Sequence, residues 1–166
     1  MTNEQFEQAK AIARKLIPLR EGQSLKVYKD SLGKLTVGVG HLVLPKDKLK
    51  AGDSITPERM AAIFEADLAA ACAAAFRQCK DADVRTVELA AGLISVIYQM
   101  GPKWNVSSQL GGKGFVNTWE AIKSRQYIIA ISRVQSSLWA KQTPVRVDDF
   151  VTALQAERAY WAKITP

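Results

Sequence analysis

The chain has 166 residues, of which 48% are hydrophobic and 23% are charged. This composition is typical of a globular protein and excludes a disordered or fibrous one, and the length predicts one domain, residues 1–166. No apolar run is long enough to span a bilayer, and the N-terminus lacks the apolar stretch of a secretory signal. The net charge of +7 favours a polyanionic partner, which could be nucleic acid, an anionic membrane or an acidic cell-wall polymer.

The first predicted element is an amphipathic helix over residues 1–20. Apolar residues such as Phe6 and Leu16 recur there at a spacing of three to four, and Pro18 is expected to kink or restart the helix. From residue 25 to residue 44 the hydrophobic period changes to two, and Gly33 marks a hairpin turn. We therefore predict a β-containing segment over residues 21–56.

A long helix is predicted next, over residues 57–80, because Thr56, Pro57 and Glu58 form a cap, a first-position proline and an acidic first turn. The remainder, residues 81–166, is helical in period, with a Gly- and Ser-rich loop at 101–114 and helices at about 84–100, 115–123, 126–140, 144–153 and 155–163. We predict an α+β fold in which a small hairpin or three-stranded lobe is joined by the long helix to a helical bundle lobe.

The two cysteines, Cys72 and Cys79, are seven residues apart in a helical stretch, which separates their Cα atoms by about 10 Å. This is too far for a disulfide, so both are predicted to be reduced core residues. The chain has one histidine and no CxxC pair, so no metal site is expected.

Two carboxylates near the predicted hairpin, Glu21 and Asp30, are candidates for catalysis. Hydrolysis of a glycosidic bond needs one carboxylic acid for the leaving oxygen and a second carboxylate to activate water. Partial burial at the end of an apolar helix would keep Glu21 protonated, whereas the solvated turn would keep Asp30 ionised. On spacing alone, however, a turn aspartate and a solvated helix end remain the preferred explanation.

A resemblance decides between these alternatives. The run EG-x2-LK-x-YKD-x2-G-x2-T-x-G-x-GH at residues 21–41 resembles, without a gap, the phage-type lysozyme family, the endolysins of T-even type phages in glycoside hydrolase family 24. Later segments resemble the same family in the same order: IYQMG at 97–101, GFVNTW at 114–119 and SSLWAKQTPVR at 136–146. The chain departs from the family in being shorter between residues 41 and 56 and longer between 101 and 114.

The resemblance implies roles for three residues of the opening run. Glu21 would be the general acid, Asp30 would position or deprotonate water, and Thr36 would help to hold that water. His41 would form an ion pair with Asp67 of the long helix, a supporting role that we prefer to catalysis.

The later segments imply further site residues. Gln99 would line the sugar-binding cleft, Phe115 would lie near it, and Arg146 would pair with Glu21, where a guanidinium orients the carboxylate and opposes the rise in pKa from desolvation. A solvated, purely structural Arg146 is the alternative. Trp104 is either a sugar-stacking residue or a core residue, whereas the other three tryptophans are predicted to lie in the core.

The function that follows from the resemblance is a peptidoglycan hydrolase with an inverting mechanism and no cofactor. It would act as a monomer, stay in the host cytoplasm as made, and depend on a membrane-permeabilising phage partner, a holin, to reach the periplasm and cell wall. A lytic transglycosylase is the alternative on the same substrate, and a basic protein that binds nucleic acid or membrane is the alternative of another class. The second alternative lacks a recognisable nucleic-acid motif.

Overall fold

The computed structural model describes residues 1–30, 32–106 and 114–164, so half of the predicted loop at 101–114 lies outside the described residues. The elements in these ranges are seven α-helices, three strands and one 3₁₀ helix. The helices are α1 Asn3–Glu21, α2 Pro57–Asp81, α3 Val87–Met100, α4 Val116–Lys123, α5 Tyr127–Gln135, α6 Leu138–Gln142 and α7 Pro144–Ile164. The strands are β1 Ser24–Lys29, β2 Leu35–Gly38 and β3 His41–Leu42, and the 3₁₀ helix is Pro45–Asp47. The predicted α+β class with a small sheet is confirmed.

The chain divides into two compact units. Unit 1 comprises Met1–Ala13 and Ala71–Pro166, and unit 2 comprises Arg14–Ala70. The divisions fall inside α1 and α2, so each of these helices contributes residues to both units, whereas the sequence placed boundaries at the helix ends.

Unit 2 contains an antiparallel sheet in the order β1-β2-β3. Tyr28 of β1 pairs with Thr36 of β2, which in turn pairs with Leu42 of β3. On its other edge β1 is covered by residues 52–55, where the N–H of Val27 donates to the carbonyl of Asp53 at 2.8 Å. The β-branched residues of the strands bury one face, and the core of this unit consists of Val27, Val37 and Ile55 with Leu35, Val43, Leu49, Met60 and Ile63 around it.

Unit 1 is helical, and its core is centred on the packing of α3 against α7. Phe150 and Leu154 of α7 are fully buried, as are Leu93 and Ile94 of α3. The two helices approach closely at Gly92, where an added Cβ would lie 3.0 Å from the Cβ of Ala153. A glycine is therefore needed on α3 for this close approach.

A buried carboxylate at Glu157 organises the start of α3. Its side chain is 0% exposed. Oε1 accepts hydrogen bonds from the backbone N–H of Arg85 and from the indole of Trp161, and Oε2 accepts from the backbone N–H and hydroxyl of Thr86, the N-cap of α3. All four distances lie between 2.6 and 3.0 Å, so the negative charge is well compensated by donors.

Helix α1 ends at Glu21, one residue beyond the predicted end, and it does not restart at Pro18, which lies in its last turn, where the N–H of Gly22 donates to the Pro18 carbonyl. Two predictions of helix boundaries were wrong. The predicted helix at 126–140 is divided into α5 and α6, because the hydroxyl of Ser137 accepts from the N–H of Ala140 and so starts a new helix. The predicted helices at 144–153 and 155–163 are one helix, α7.

Several other sequence predictions are confirmed. Helix α2 begins at Pro57, with the hydroxyl of Thr56 accepting from the N–H of Arg59. Cys72 and Cys79 are both buried and are not joined in a disulfide, and burial raises the pKa of the Cys79 thiol to about 12. No helix among the described residues is both long and apolar enough to cross a membrane.

Candidate active site

Glu21 is the last residue of α1, and its side chain is partly buried in unit 2. The chain leaves the helix through Gly22, which has a φ of +72°. Such a conformation favours glycine and ends helices sharply. The carboxyl group lies against the turn between β2 and β3, where a Cβ placed on Gly40 would be 3.2 Å from Oε2 of Glu21.

Asp30 follows the last residue of β1 and closes the β1–β2 hairpin. Its Oδ1 accepts hydrogen bonds from the backbone N–H groups of Leu32, at 2.9 Å, and Lys34, at 2.8 Å. Its own backbone also bonds to Lys34 and Gly33 across the turn. Among the described residues, none donates a hydrogen bond to Oδ2. The turn thus fixes the carboxylate through one oxygen and leaves the other available to a ligand.

Thr36 lies in the centre of the sheet on β2, and its side chain is 6% exposed. Its hydroxyl is 3.4 Å from the carbonyl of Lys34, a long hydrogen bond that leaves acceptor capacity on the oxygen. Thr36 pairs with Tyr28, so Asp30 lies two residues beyond the partner of Thr36, at the hairpin end of the sheet.

His41, the only histidine in the sequence, is 9% exposed on β3. Its Nδ1 is 2.7 Å from Oδ2 of Asp67, so the contact that the resemblance implies is present. The other nitrogen, Nε2, is 3.2 Å from Oδ2 of Asp47, a partner that the sequence analysis did not identify. The ring is therefore held between two carboxylates.

The remaining predicted site residues belong to unit 1. Gln99 is partly buried near the end of α3, and its Oε1 accepts a hydrogen bond from the indole of Trp139 at 2.9 Å. Phe115 is partly buried just before α4, and its ring is 5.8 Å from that of Trp139. Arg146 is buried in the first turn of α7, which disagrees with the alternative of a solvated arginine, and its pairing with Glu21 stays a prediction.

Trp104 does not have the exposed ring that sugar stacking requires. Only 4% of the residue is exposed, and its indole N–H donates to Oε1 of Gln78 at 2.9 Å. The ring packs at 5.9 Å against those of Phe115, Trp119 and Phe150. The assignment of Trp104 to substrate binding is therefore corrected to a core role, since an aromatic ring without an open face has no surface to offer a sugar.

The other tryptophans differ in burial. Trp119 and Trp139 are buried, as predicted. Trp161 is only partly buried, and the guanidinium of Arg125 lies 3.4 Å from its ring centroid. Within residues 1–30, 32–106 and 114–164, no group of three or more His, Cys, Asp or Glu side chains is arranged to hold a metal ion.

The segment that contains Glu21, Asp30, Thr36 and His41 is also the segment that identifies the family. Residues 19–127, which are 109 of the 166 residues, match the model of the phage lysozyme family. The chain belongs to the phage lysozyme family. The resemblance stated from the sequence is thus confirmed, as is the expected lysozyme-like fold.

Two curated proteins show the range of the relationship. The chain is 31% identical over 138 residues to peptidoglycan hydrolase gp36 of Pseudomonas phage phiKMV. The aligned region covers 83% of this chain but only 14% of that protein. The chain is also 24% identical over 157 residues to probable T4-type lysozyme 2 of Dictyostelium discoideum. This aligned region covers 81% of this chain and 88% of that protein. The chain therefore matches a small part of the phage protein and most of the slime-mould protein.

The sequence analysis missed Asp47 and the contact of Gly40 with Glu21. Asp47 lies in a 3₁₀ helix that begins at Pro45, and a short Pro-Lys-Asp segment is usually only turn chemistry. The glycine of the GH pair offered a signal, because Gly40 has a φ of +70° and approaches a carboxylate.

Proposed function

We propose that this protein is a peptidoglycan hydrolase, a muramidase that cleaves the β-1,4 bond between N-acetylmuramic acid and N-acetylglucosamine. The observation that carries the proposal is the family match over residues 19–127, which includes the two carboxylates, Glu21 and Asp30, and Thr36 on β2. The relatives named as a peptidoglycan hydrolase and a lysozyme support the same substrate class.

In the proposed reaction, Glu21 donates its proton to the glycosidic oxygen as the bond from that oxygen to the anomeric carbon breaks. A water molecule attacks the anomeric carbon from the opposite face of the sugar and forms the new bond. Asp30 takes a proton from this water, and the hydroxyl of Thr36 holds it in place. The products are two sugars, with inverted configuration at the anomeric carbon.

The hairpin supports separate roles for the two acids. Glu21 lies against the β2–β3 turn, whereas Asp30 closes the turn at the other end of β2. Because a strand rises about 3.3 Å per residue, the ends of the four-residue β2 are about 10 Å apart. Turns at this spacing are compatible with the carboxyl separation of about 6.5 to 9.5 Å that an inverting enzyme needs for its water.

Two residues of unit 1 are proposed for the sugar-binding cleft, Gln99 and Phe115. The bond from Trp139 fixes the amide of Gln99, so its NH₂ group has a defined direction in which to donate to a sugar oxygen. Arg146 is proposed as the partner that orients the Glu21 carboxylate in the working enzyme.

The charge of unit 2 supports an acidic polymer as substrate. Six lysines between β1 and Lys50 are exposed, and none takes part in an ion pair within the described residues: Lys26, Lys29, Lys34, Lys46, Lys48 and Lys50. The three aspartates of the same segment, Asp30, Asp47 and Asp53, each accept a backbone N–H instead. Six lysines thus stand against three aspartates in this segment, and the excess of positive charge attracts the carboxylates of the peptide stems that peptidoglycan carries.

The cellular setting is part of the proposal. The protein acts as a monomer, resides in the host cytoplasm before lysis, and reaches the periplasm and cell wall when a holin permeabilises the inner membrane. Release of folded protein would then set the time of lysis.

Digestion of purified peptidoglycan, with mass spectrometry of the product ends, tests the reaction. Asn retains one side-chain oxygen for the two N–H groups that fix Asp30, so Asp30→Asn removes the charge and preserves the turn. Asp53→Asn is the matched control, because Asp53 also accepts a backbone N–H, from Lys50.

We expect reducing muramic acid ends from the wild type and from Asp53→Asn, none from Glu21→Gln, and a fall of about 10²-fold or more in rate for Asp30→Asn. Anhydro ends would assign the protein to the lytic transglycosylases. A folded wild type that releases no fragments would refute hydrolysis altogether.

A further inference from the structure

The contact between His41 and Asp47 connects three parts of unit 2. His41 is on β3, Asp47 ends the 3₁₀ helix, and Asp67 is on α2. The ring of His41 bridges the two carboxylates, with 2.7 Å from Nδ1 to Asp67 and 3.2 Å from Nε2 to Asp47. We call these three residues the carboxylate clamp.

Both contacts of the clamp are made together only by a ring that carries two protons. An ionised carboxylate only accepts hydrogen bonds, and each nitrogen of the ring faces a carboxylate oxygen. A neutral imidazole would turn a lone pair towards one of the two oxygens. A ring that carries both protons would donate to each carboxylate, and such charge-assisted hydrogen bonds are stronger than neutral ones.

Asp47 is itself well anchored. Its Oδ2 accepts the N–H of Leu44 at 2.6 Å, and its backbone carbonyl accepts a hydrogen bond from Arg59 of α2 at 2.8 Å. Burial opposes ionisation, but the bonds from Leu44 and His41 and the nearby positive charges hold the pKa of the Asp47 carboxyl below its usual value of 3.8. The clamp is therefore fixed at both of its acidic ends, since Asp67 belongs to a helix.

The residue before His41 is the glycine that lies against Glu21. A Cβ on Gly40 would be 3.2 Å from Oε2, 3.4 Å from Cδ and 3.5 Å from Cγ of Glu21, so the backbone of the turn forms one wall of the space around this carboxyl group. Any shift of His41 moves that wall, because adjacent residues share a peptide plane.

We propose that Asp47 is a positioning residue for Glu21, which acts through His41 and the Gly40 turn. Asp67 on α2 contacts Nδ1 of the His41 ring, and Asp47 contacts Nε2. Because the ring is held on both sides, the Gly40 turn keeps one position relative to the proposed general acid, Glu21. The inference rests on the proposed function for the role of Glu21, but the clamp can be tested without any activity.

The test compares Asp47→Ala with Asp53→Ala. Both variants remove a carboxylate that accepts a backbone N–H three residues earlier in the chain, at 2.6 and 2.7 Å, but only Asp47 contacts His41. With a soluble peptidoglycan oligosaccharide we expect Asp47→Ala to lower kcat about tenfold with KM changed less than about twofold, because misplacement of a catalytic group acts on the transition state. Asp53→Ala should retain the wild-type kcat.

Asp47→Asn is the conservative variant. Its amide oxygen can still accept from both Leu44 and His41, so it should recover part of the kcat that Asp47→Ala loses. Equal kcat in Asp47→Ala and Asp53→Ala, or a fall in both of similar size, would overturn the positioning role.

NMR of the His41 ring at pH 5 tests the clamp itself, whether or not Asp47→Ala folds. In the wild type we expect both ring N–H protons to be protected from exchange with water, and in Asp47→Asn the Nε2 proton should exchange faster than in the wild type. A wild-type ring with only its Nδ1 proton protected would refute the Asp47 arm. Wild-type protein that shows the clamp but cuts no peptidoglycan would refute the proposed function instead.

Discussion

The backbone of Gly40 packs directly against the carboxyl group of Glu21, with 3.2 Å between Oε2 and the position that a Cβ would occupy. The same glycine has a φ of +70°, which a residue with a side chain rarely adopts. Two separate requirements, one conformational and one of space, therefore select glycine at this position. Only the second involves the proposed general acid.

Gly40→Ala should separate these two requirements when it is compared with Gly52→Ala. Gly52 has a φ of +89° but nothing within 4 Å of its added Cβ, so both variants carry backbone strain and only one crowds Glu21. We expect each to lose about 1 kcal/mol in the free energy of unfolding, measured by chemical denaturation. Only Gly40→Ala should lower kcat, by about tenfold. A similar kcat for both variants would mean that the wall beside Glu21 has no part in catalysis.

The lysines of unit 2 predict a salt-dependent affinity for the wall. The double variant Lys26→Glu, Lys50→Glu reverses two exposed charges of unit 2, and Lys141→Glu, Lys163→Glu reverses two exposed charges of unit 1, so both have the same net charge. On sacculi at about 0.05 M salt we expect the first pair to raise KM about fivefold and the second pair to change it little. At about 0.5 M salt the difference should disappear, because screening removes it. Equal effects of the two pairs would assign the attraction to net charge alone.

The sequence was most informative where a function or a turn restricts residue identity. The resemblance of residues 21–41 predicts roles for the two carboxylates, the threonine and the histidine. The structure places Asp30 in the predicted turn and His41 beside Asp67, and the catalytic roles stay predictions. Asp47 could not be found in this way. Its role depends on a contact between side chains six residues apart across a 3₁₀ turn, which no periodicity encodes.

Buried carboxylates and helix ends were also beyond the sequence. The sequence analysis made no prediction for Glu157, which tertiary packing buries and surrounds with four donors. The division of α5 from α6 depends on whether the hydroxyl of Ser137 caps a helix or faces solvent, and the sequence is compatible with both.

Glu157→Gln should destabilise unit 1. The amide NH₂ group would face at least one of the N–H or O–H groups that now donate to the carboxylate. That buried donor would lose its hydrogen bond, which lowers the free energy of unfolding. We expect a loss of about 3 kcal/mol in the free energy of unfolding, measured by urea denaturation. Glu88→Gln, at an exposed position in the first turn of α3, should cost less than about 1 kcal/mol. If the two variants were equally stable, the hydrogen bonds to Glu157 would not be what holds the start of α3.

Asp83 should contribute to the dependence of the free energy of unfolding on pH in the acidic range. The hydrogen bond from Arg85, together with the charges of Arg85 and Arg125, holds the pKa of this carboxyl below its usual value of 3.8. A lowered pKa in the folded state stabilises the protein above the unfolded value, and this contribution is lost as the pH falls through the folded value. The stabilisation should therefore be complete near neutrality and decline below about pH 4.

Asp83→Asn tests this dependence without disturbing the backbone, because asparagine tolerates the φ of +51° at this position. We expect the variant to be less stable than the wild type at pH 7, and the difference to shrink as the pH falls below about 4. Asp148→Asn, at an exposed position on α7, is the control. A difference between Asp83→Asn and the wild type that stays constant from pH 7 to pH 2 would show that charge is not the source of the effect.

The central claim is that two carboxylates, Glu21 and Asp30, hydrolyse the glycosidic bond with inversion. The most direct measurement is proton NMR of the first product formed from a soluble peptidoglycan oligosaccharide, recorded before the anomers equilibrate. The account predicts that the new reducing end of N-acetylmuramic acid appears first as the α anomer, and that Glu21→Gln produces none. A β anomer as the first product would contradict it, because retention requires a covalent intermediate or an equivalent double displacement.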